Sequence, residues 1–198
     1  MDWQFFTSVA LFAVVMTGTP GPNNVMLTAS GANFGYRRTV PHFVGIGTGL
    51  LSQMILIAAG LGVVFERYPE VQQVLRIASS AYLLYLAWRI GTAMPPEKSN
   101  DNDSKPMTLF EAALFQYLNP KAWIMSLTAV GSFSFTGDQF WWSVIAMGMI
   151  FWLVQLHTSS VWVGFGTLIR RWLSSVTAWR RFNVVMGLLT ASCVVFIW

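Results

Sequence analysis

The stretch "TGTPGPNN", Thr17 to Asn24, interrupts an apolar run that begins at Trp3 and continues to Phe34. Pro20 and Pro22 each remove a backbone N–H donor, and Gly18 and Gly21 permit backbone angles that other residues resist. Two asparagines follow directly, at Asn23 and Asn24. Such a cluster ends a helix, yet the sequence on both sides is apolar enough to lie in lipid. What the break is for depends on what surrounds it.

The surroundings are those of an integral membrane protein. Of 198 residues, 55% are hydrophobic and 10% charged, and the mean hydropathy is +0.54. Soluble domains carry about 25% charged residues. Beyond the run from Trp3, apolar segments occupy Val40–Phe65, Val71–Trp88, Leu109–Phe135, Phe140–Ile169 and Phe182–Trp198. Each approaches the roughly 20 helical residues that cross a hydrocarbon core of about 30 Å. The expected fold is all-α, with six transmembrane helices. The N-terminus lacks the basic start and small-residue cleavage site of a signal peptide. The lone Cys193 excludes an internal disulfide and argues against a cysteine-based metal site, and no cofactor or metal is implied. A pI near 9.6 invites a nucleic-acid partner, but the basic residues are scattered at segment ends. The expected partners are the bilayer and a small-molecule substrate, with a homo-oligomer left open.

Charge sets the orientation. Of the twelve basic residues, nine fall in the first, third and fifth connections: Arg37, Arg38, Arg89, Lys98, Lys105, Arg170, Arg171, Arg180 and Arg181. Arg67 and Arg76 lie on the opposite side. Positive charge stays cytoplasmic, which puts both termini outside, in the periplasm of a Gram-negative cell. Trp3, Trp141, Trp142 and Trp198 then fall at the outer interface that amphipathic rings favour. Lys121 belongs to neither side.

"MPPEKSNDNDSKP", Met94 to Pro106, is polar, mixed in charge and bounded by prolines, a linker with nothing to bury. It divides the chain into three-helix repeats at 1–93 and 107–198. Three crossings per half make the second half enter from the opposite face, an inverted repeat. A weak echo supports this: "TPGPNN" opens one half and "LNPKAW", Leu118 to Trp123, the other, with Pro22 and Pro120 separated by 98 residues. Broken helices at matching positions point to a transporter binding site.

Leu109 to Asn119 rises about 15 Å as helix, half the core. Asn119 is a favoured N-cap and Pro120 suits the first turn. Lys121 then adds charge where the helix dipole opposes it, so helix stability does not explain it. In the first break, Asn24 lies about 20 Å of helix before Arg37, and Asn23 or Asn24 is expected to cap the half-helix running to Gly35. Inversion makes the positive ends of both half-helices converge on one cavity, suited to a carboxylate. Carbonyls near Met16–Gly18 and Tyr117–Leu118, with Asn23, Asn24, Gln116 and Asn119, can receive an ammonium. Together they describe a site for an α-amino acid. Helix kinks without a ligand role are the simpler alternative for both breaks.

Other polar groups are few. "GIGTG", Gly45 to Gly49, lacks the lysine of a phosphate loop and reads as close helix packing. His157, in "QLHTSS", is placed either for an interhelical hydrogen bond or for proton transfer, whereas His42, near an interface, is expected to be inert. Glu111 is the only carboxylate inside a span. Lys121, His157 and Glu111 are therefore the candidates for proton coupling. No catalytic set is present, so the chain is not expected to be an enzyme.

"TPGPNN", "GYRR" at Gly35–Arg38, "AYLLYLAWRI" at Ala81–Ile90 and "NPKAW" at Asn119–Trp123 together resemble the LysE/RhtB superfamily of bacterial amino-acid exporters over essentially the whole chain. The third-span stretch looks most like the cysteine/O-acetylserine exporter branch. The resemblance implies an inner-membrane antiporter that expels small neutral amino acids or their derivatives, threonine- and homoserine-like ones included, by alternating access on the proton gradient. It singles out Pro20, Gly21, Pro22, Asn23, Asn24, Asn119, Pro120 and Lys121. A metal-ion exporter of the same superfamily and a non-transporting membrane scaffold are the alternatives.

Overall fold

The computed structural model describes residues 3–93 and 105–198. Within them all regular structure is helical: α1 Trp3–Gly18, α2 Pro22–Phe34, α3 Tyr36–Leu56, α4 Gly62–Arg67, α5 Pro69–Gly91, α6 Leu109–Phe115, α7 Pro120–Phe133, α8 Phe140–Arg170 and α9 Val176–Ser192. The expected linker lies outside the described residues, except for Lys105 and Pro106.

Length and hydropathy qualify two helices to cross a membrane, Tyr36–Leu61 and Gly137–Arg170. Trp3–Gly18 and Pro22–Phe34, bent by 62° at the break, meet the same test only when taken together. Boundaries differ from those read off hydropathy. The third apolar run extends to Pro69–Gly91, and the last helix begins at Val176 rather than at Phe182. Ser175 explains the second shift, because its hydroxyl accepts from the Ala178 N–H and caps the helix. Arg180 and Arg181 are therefore helical. The second span ends in a π-helical turn, Ile57–Leu61, in which Gly60 takes φ 112°, a conformation glycine alone enters freely.

Backbones approach each other through small residues. α8 packs along α1, α2 and α3, while α6 lies on α3 and α9 on α5. A Cβ on Gly31 would collide with the Val163 carbonyl, and one on Gly166 with the Thr28 carbonyl. The α2–α8 crossing is thus closed from both sides by glycine. Gly45 and Gly49 seat α3 in the same way on the Leu109 and Ala113 carbonyls, and Gly187 seats α9 on Ala87 of α5. Lipid tails give apolar helices no reason to prefer each other, so close van der Waals contact must supply the attraction. Gly35, at φ 81°, turns the chain from α2 directly into α3.

Two substitutions on one helix test the crossing. Gly166→Ala is expected to cost about 1–3 kcal/mol by overpacking. Gly164→Ala, where a Cβ meets nothing within 4 Å, is expected to gain about 0.5–1 kcal/mol in helix stability. Loss of monodisperse protein with temperature in detergent reads both, and a higher midpoint for Gly166→Ala would contradict the crossing.

Candidate functional site

The first break runs from Thr19 to Gly21. Gly21 is the N-cap of α2, with no side-chain hydrogen bond, and Pro22 opens the helix. The asparagines are therefore not caps, contrary to the sequence expectation. Both are already inside the first turn of α2, and their side chains reach elsewhere. Asn24 is buried and turns back, its Nδ2 donating to the Thr17 carbonyl at 2.9 Å and to the Thr19 carbonyl at 2.8 Å. It ties the start of α2 to the end of α1. Trp162 of α8 donates to the Gly18 carbonyl at 3.3 Å. The Thr17 and Gly18 carbonyls, expected to receive a ligand's ammonium, thus have protein donors.

The second break is shorter. α6 tightens into a 3-10 turn at Gln116–Leu118, and Asn119 starts α7, with Pro120 in the first turn. Here the cap is the asparagine, whose Oδ1 accepts from the Lys121 N–H at 3.2 Å. Trp123 donates to the Tyr117 carbonyl at 2.9 Å, and Gln53 of α3 to the Gln116 carbonyl at 3.2 Å. Ser126 in turn donates to Gln53 Oε1 at 3.0 Å.

The two breaks meet. Asn23 Nδ2 donates to Gln116 Oε1 at 2.8 Å, and Gln116 Nε2 returns a bond to Asn23 Oδ1 at 3.3 Å. Lys121 makes the second link. Its Nζ donates to the Thr19 carbonyl at 2.7 Å, to Thr19 Oγ1 at 2.8 Å and to the Pro20 carbonyl at 3.3 Å. The ammonium starts from the wrong end of its own helix, but it is spent on the carbonyls just beyond the C-terminal end of α1, where the dipole is negative. Gly21 leaves room for this reach, since a Cβ there would come within 3.1 Å of Lys121 Cδ. Asn23, Asn24, Asn119, Lys121, Met16 and Gln155 are among the residues around a cavity of about 20 Å³. That admits a water molecule and little more, so the breaks are closed on each other.

The remaining candidates lie apart from this cluster. His157 is exposed, with Nδ1 2.8 Å from the Leu153 carbonyl of its own helix, so the expected interhelical bond is not made. Glu111 is exposed and accepts from the Thr108 N–H at 2.8 Å in a capping box at the start of α6. Thr19, Gln53 and Trp162 belong to the break environment although the sequence did not single them out. A glutamine amid "LLSQMIL" is a usable signal for Gln53, because polar groups inside spans usually face the protein interior. Nothing local marks Trp162.

Residues 14–196 match the family model of LysE type translocators. The chain is 27% identical over 187 residues to the cysteine/O-acetylserine efflux protein of Escherichia coli strain K12, covering 93% of this chain and 92% of that protein. The proteins of the same description from Shigella flexneri and from Shigella sonnei strain Ss046 match equally. No solved structure matches. Two helix breaks that converge in an apolar helical protein, and a family match spanning both, lead to one conclusion: this chain belongs to the LysE type translocators and is a transporter, not an enzyme.

Proposed function

We propose that this protein exports small neutral amino acids or their derivatives, of the cysteine and O-acetylserine or the threonine and homoserine kind, across the bacterial inner membrane. The relatives whose names describe cysteine/O-acetylserine efflux support the substrate class. The observation that carries the reading is the contact between the breaks: residues 93 positions apart, Asn23 and Gln116, exchange hydrogen bonds, as expected if the two halves are inverted repeats around one site.

The binding step follows from what the break residues already do. Lys121 holds its ammonium against the Thr19 and Pro20 carbonyls. A zwitterion that enters as this contact opens would leave neither partner unpaired. Its ammonium takes over the carbonyl oxygens beyond the end of α1, and its carboxylate receives Lys121. The start of α2, where Gly21 offers no side-chain cap, adds N–H donors for the carboxylate. Asn23, Gln116 and Asn119 surround the substrate, and Asn24 holds α1 and α2 together beside it. Alternating access then means that the amide pair and the lysine contact open to one face at a time.

Export is driven by the proton gradient in this reading, and Lys121 is the foremost of the three coupling candidates because its Nζ sits at the site itself. Proton exchange there would switch the contact with Thr19 on and off. His157 and Glu111 are bound to groups of their own helix ends and faces and would act at a distance.

Two experiments test the proposal. Lys121→Ala and Asn23→Ala should each lower efflux of labelled cysteine or O-acetylserine from preloaded cells at least about tenfold, the equivalent of roughly 1.4 kcal/mol, at unchanged membrane abundance. Wild-type rates in both variants would refute the site. Orientation is tested separately: single cysteines placed in the 94–106 linker of a Cys193→Ser background should react with an impermeant maleimide only in inside-out vesicles. Reaction in intact spheroplasts would reverse the topology.

A further inference from the structure

A second cavity, of about 360 Å³, lies between α2, α3 and α5, with Lys105, Pro106 and Met107 completing its wall. It shares no lining residue with the small cavity at the breaks. α2 nevertheless serves both, its first turn at the breaks and its residues from Met26 to Phe34 at the larger space. The volume is that of a small-molecule site.

One side chain in this wall stands out. His42 is 1% exposed, and neither ring nitrogen has a hydrogen-bond partner. The sequence places this histidine near an interface and gives it no role; in the fold the ring is buried and lines the cavity. A neutral imidazole carries one donor and one acceptor, and buried polar groups are almost always paired. The polar neighbours are committed to other bonds. Asn33 exchanges bonds with Asn183 of α9 at 2.9 and 3.2 Å, and Ser30 pairs with Thr39 at 3.0 Å. Arg89 and Lys105 add two positive charges to the wall, and no carboxylate is among its described lining residues.

We propose that this cavity binds a small polar α-amino acid, its carboxylate on Arg89 and Lys105 and its hydroxyl or amine on His42. The chemistry needs both ends. The cations alone would take any anion, whereas the imidazole offers a donor and an acceptor to a second hydrogen-bonding group on the same small molecule. That the cavity loads substrate from the cytoplasm rests on the export reading and its orientation; the binding itself does not. A lipid phosphate could engage the same two cations, so the test must separate the two.

The chain has two histidines, so protein labelled with ¹⁵N in the imidazoles and reconstituted in nanodiscs gives two sets of ring signals. His42→Gln assigns them, or His157→Gln if the first variant does not fold. L-serine and O-acetyl-L-serine are expected to shift the His42 signals saturably and leave those of His157 in place. Arg89→Gln should weaken that titration about tenfold, and Lys121→Ala should leave it intact. Absence of a His42 shift with both amino acids overturns the proposal. A shift produced by dioctanoyl phosphatidylglycerol, and by neither amino acid, overturns it in favour of a lipid seat. A wild-type protein that exports nothing but shows the amino-acid shift removes the export reading and leaves this site standing. Export without the shift does the reverse.

Discussion

A helix interrupted inside an apolar layer exposes backbone groups that neither lipid nor water will satisfy, and the protein must pair them itself. Much of the architecture around α1, α2, α6 and α7 answers that requirement. Asn24, Trp162 and Lys121 take the carbonyls at and just beyond the end of α1. Trp123, Gln53 and Asn119 serve the groups around the second break. Several of these donors come from elements far away in sequence. The breaks therefore fix tertiary structure: α8 and α3 each deliver a polar side chain to a defined backbone atom, while the glycine crossings bring those helices close enough to do so.

Lys121 shows how one residue can be unfavourable locally and favourable in the assembly. In the first turn of α7 it opposes the helix dipole, and a lysine at membrane depth is costly without partners. Its side chain leaves that helix, passes over Gly21 and ends on oxygens of Thr19 and Pro20. Two helix ends of opposite polarity are thereby joined by one cation. The contact has the composition of half a zwitterion-binding site, a cation facing carbonyl oxygens. In the proposed binding step an amino acid replaces that contact with no charge left unpaired.

Sequence made the breaks legible because proline and asparagine act locally. "NPK" predicts its own N-cap, and Asn119 bonds to the Lys121 N–H as that motif requires. "PGPNN" misleads on the same reasoning. Two prolines shorten the available turn so that Gly21 becomes the cap, and Asn24 is left one turn too late to serve as one. Its role is to bind backward, which depends on the 62° bend between α1 and α2, and no local pattern encodes that angle. The partners of the breaks were less legible still. Gln53 and Trp162 arrive by helix packing, and His42 is buried by the neighbours of α3. Its expected place near an interface says nothing about what covers its side.

Packing also indicates where the closed contact can open. α2 is locked to α8 by glycine on both sides, and α6 to α3 through Gly45 and Gly49; sliding at either crossing would drive carbonyls into the opposing backbone. α7 has no such lock, and a Cβ added at its Gly131 meets nothing within 4 Å. It is held at its start by the Asn119 cap and by Lys121, and along its length by side-chain contacts such as Ser126 with Gln53. Separating Lys121 from Thr19 by tilting α7 disturbs no close backbone crossing, whereas moving α2 would carry α8 with it. The helix that bears the charge is thus free of the glycine locks that fix α2 and α6, and in the proposed binding step substrate inserts beside a helix that can tilt without driving backbones together.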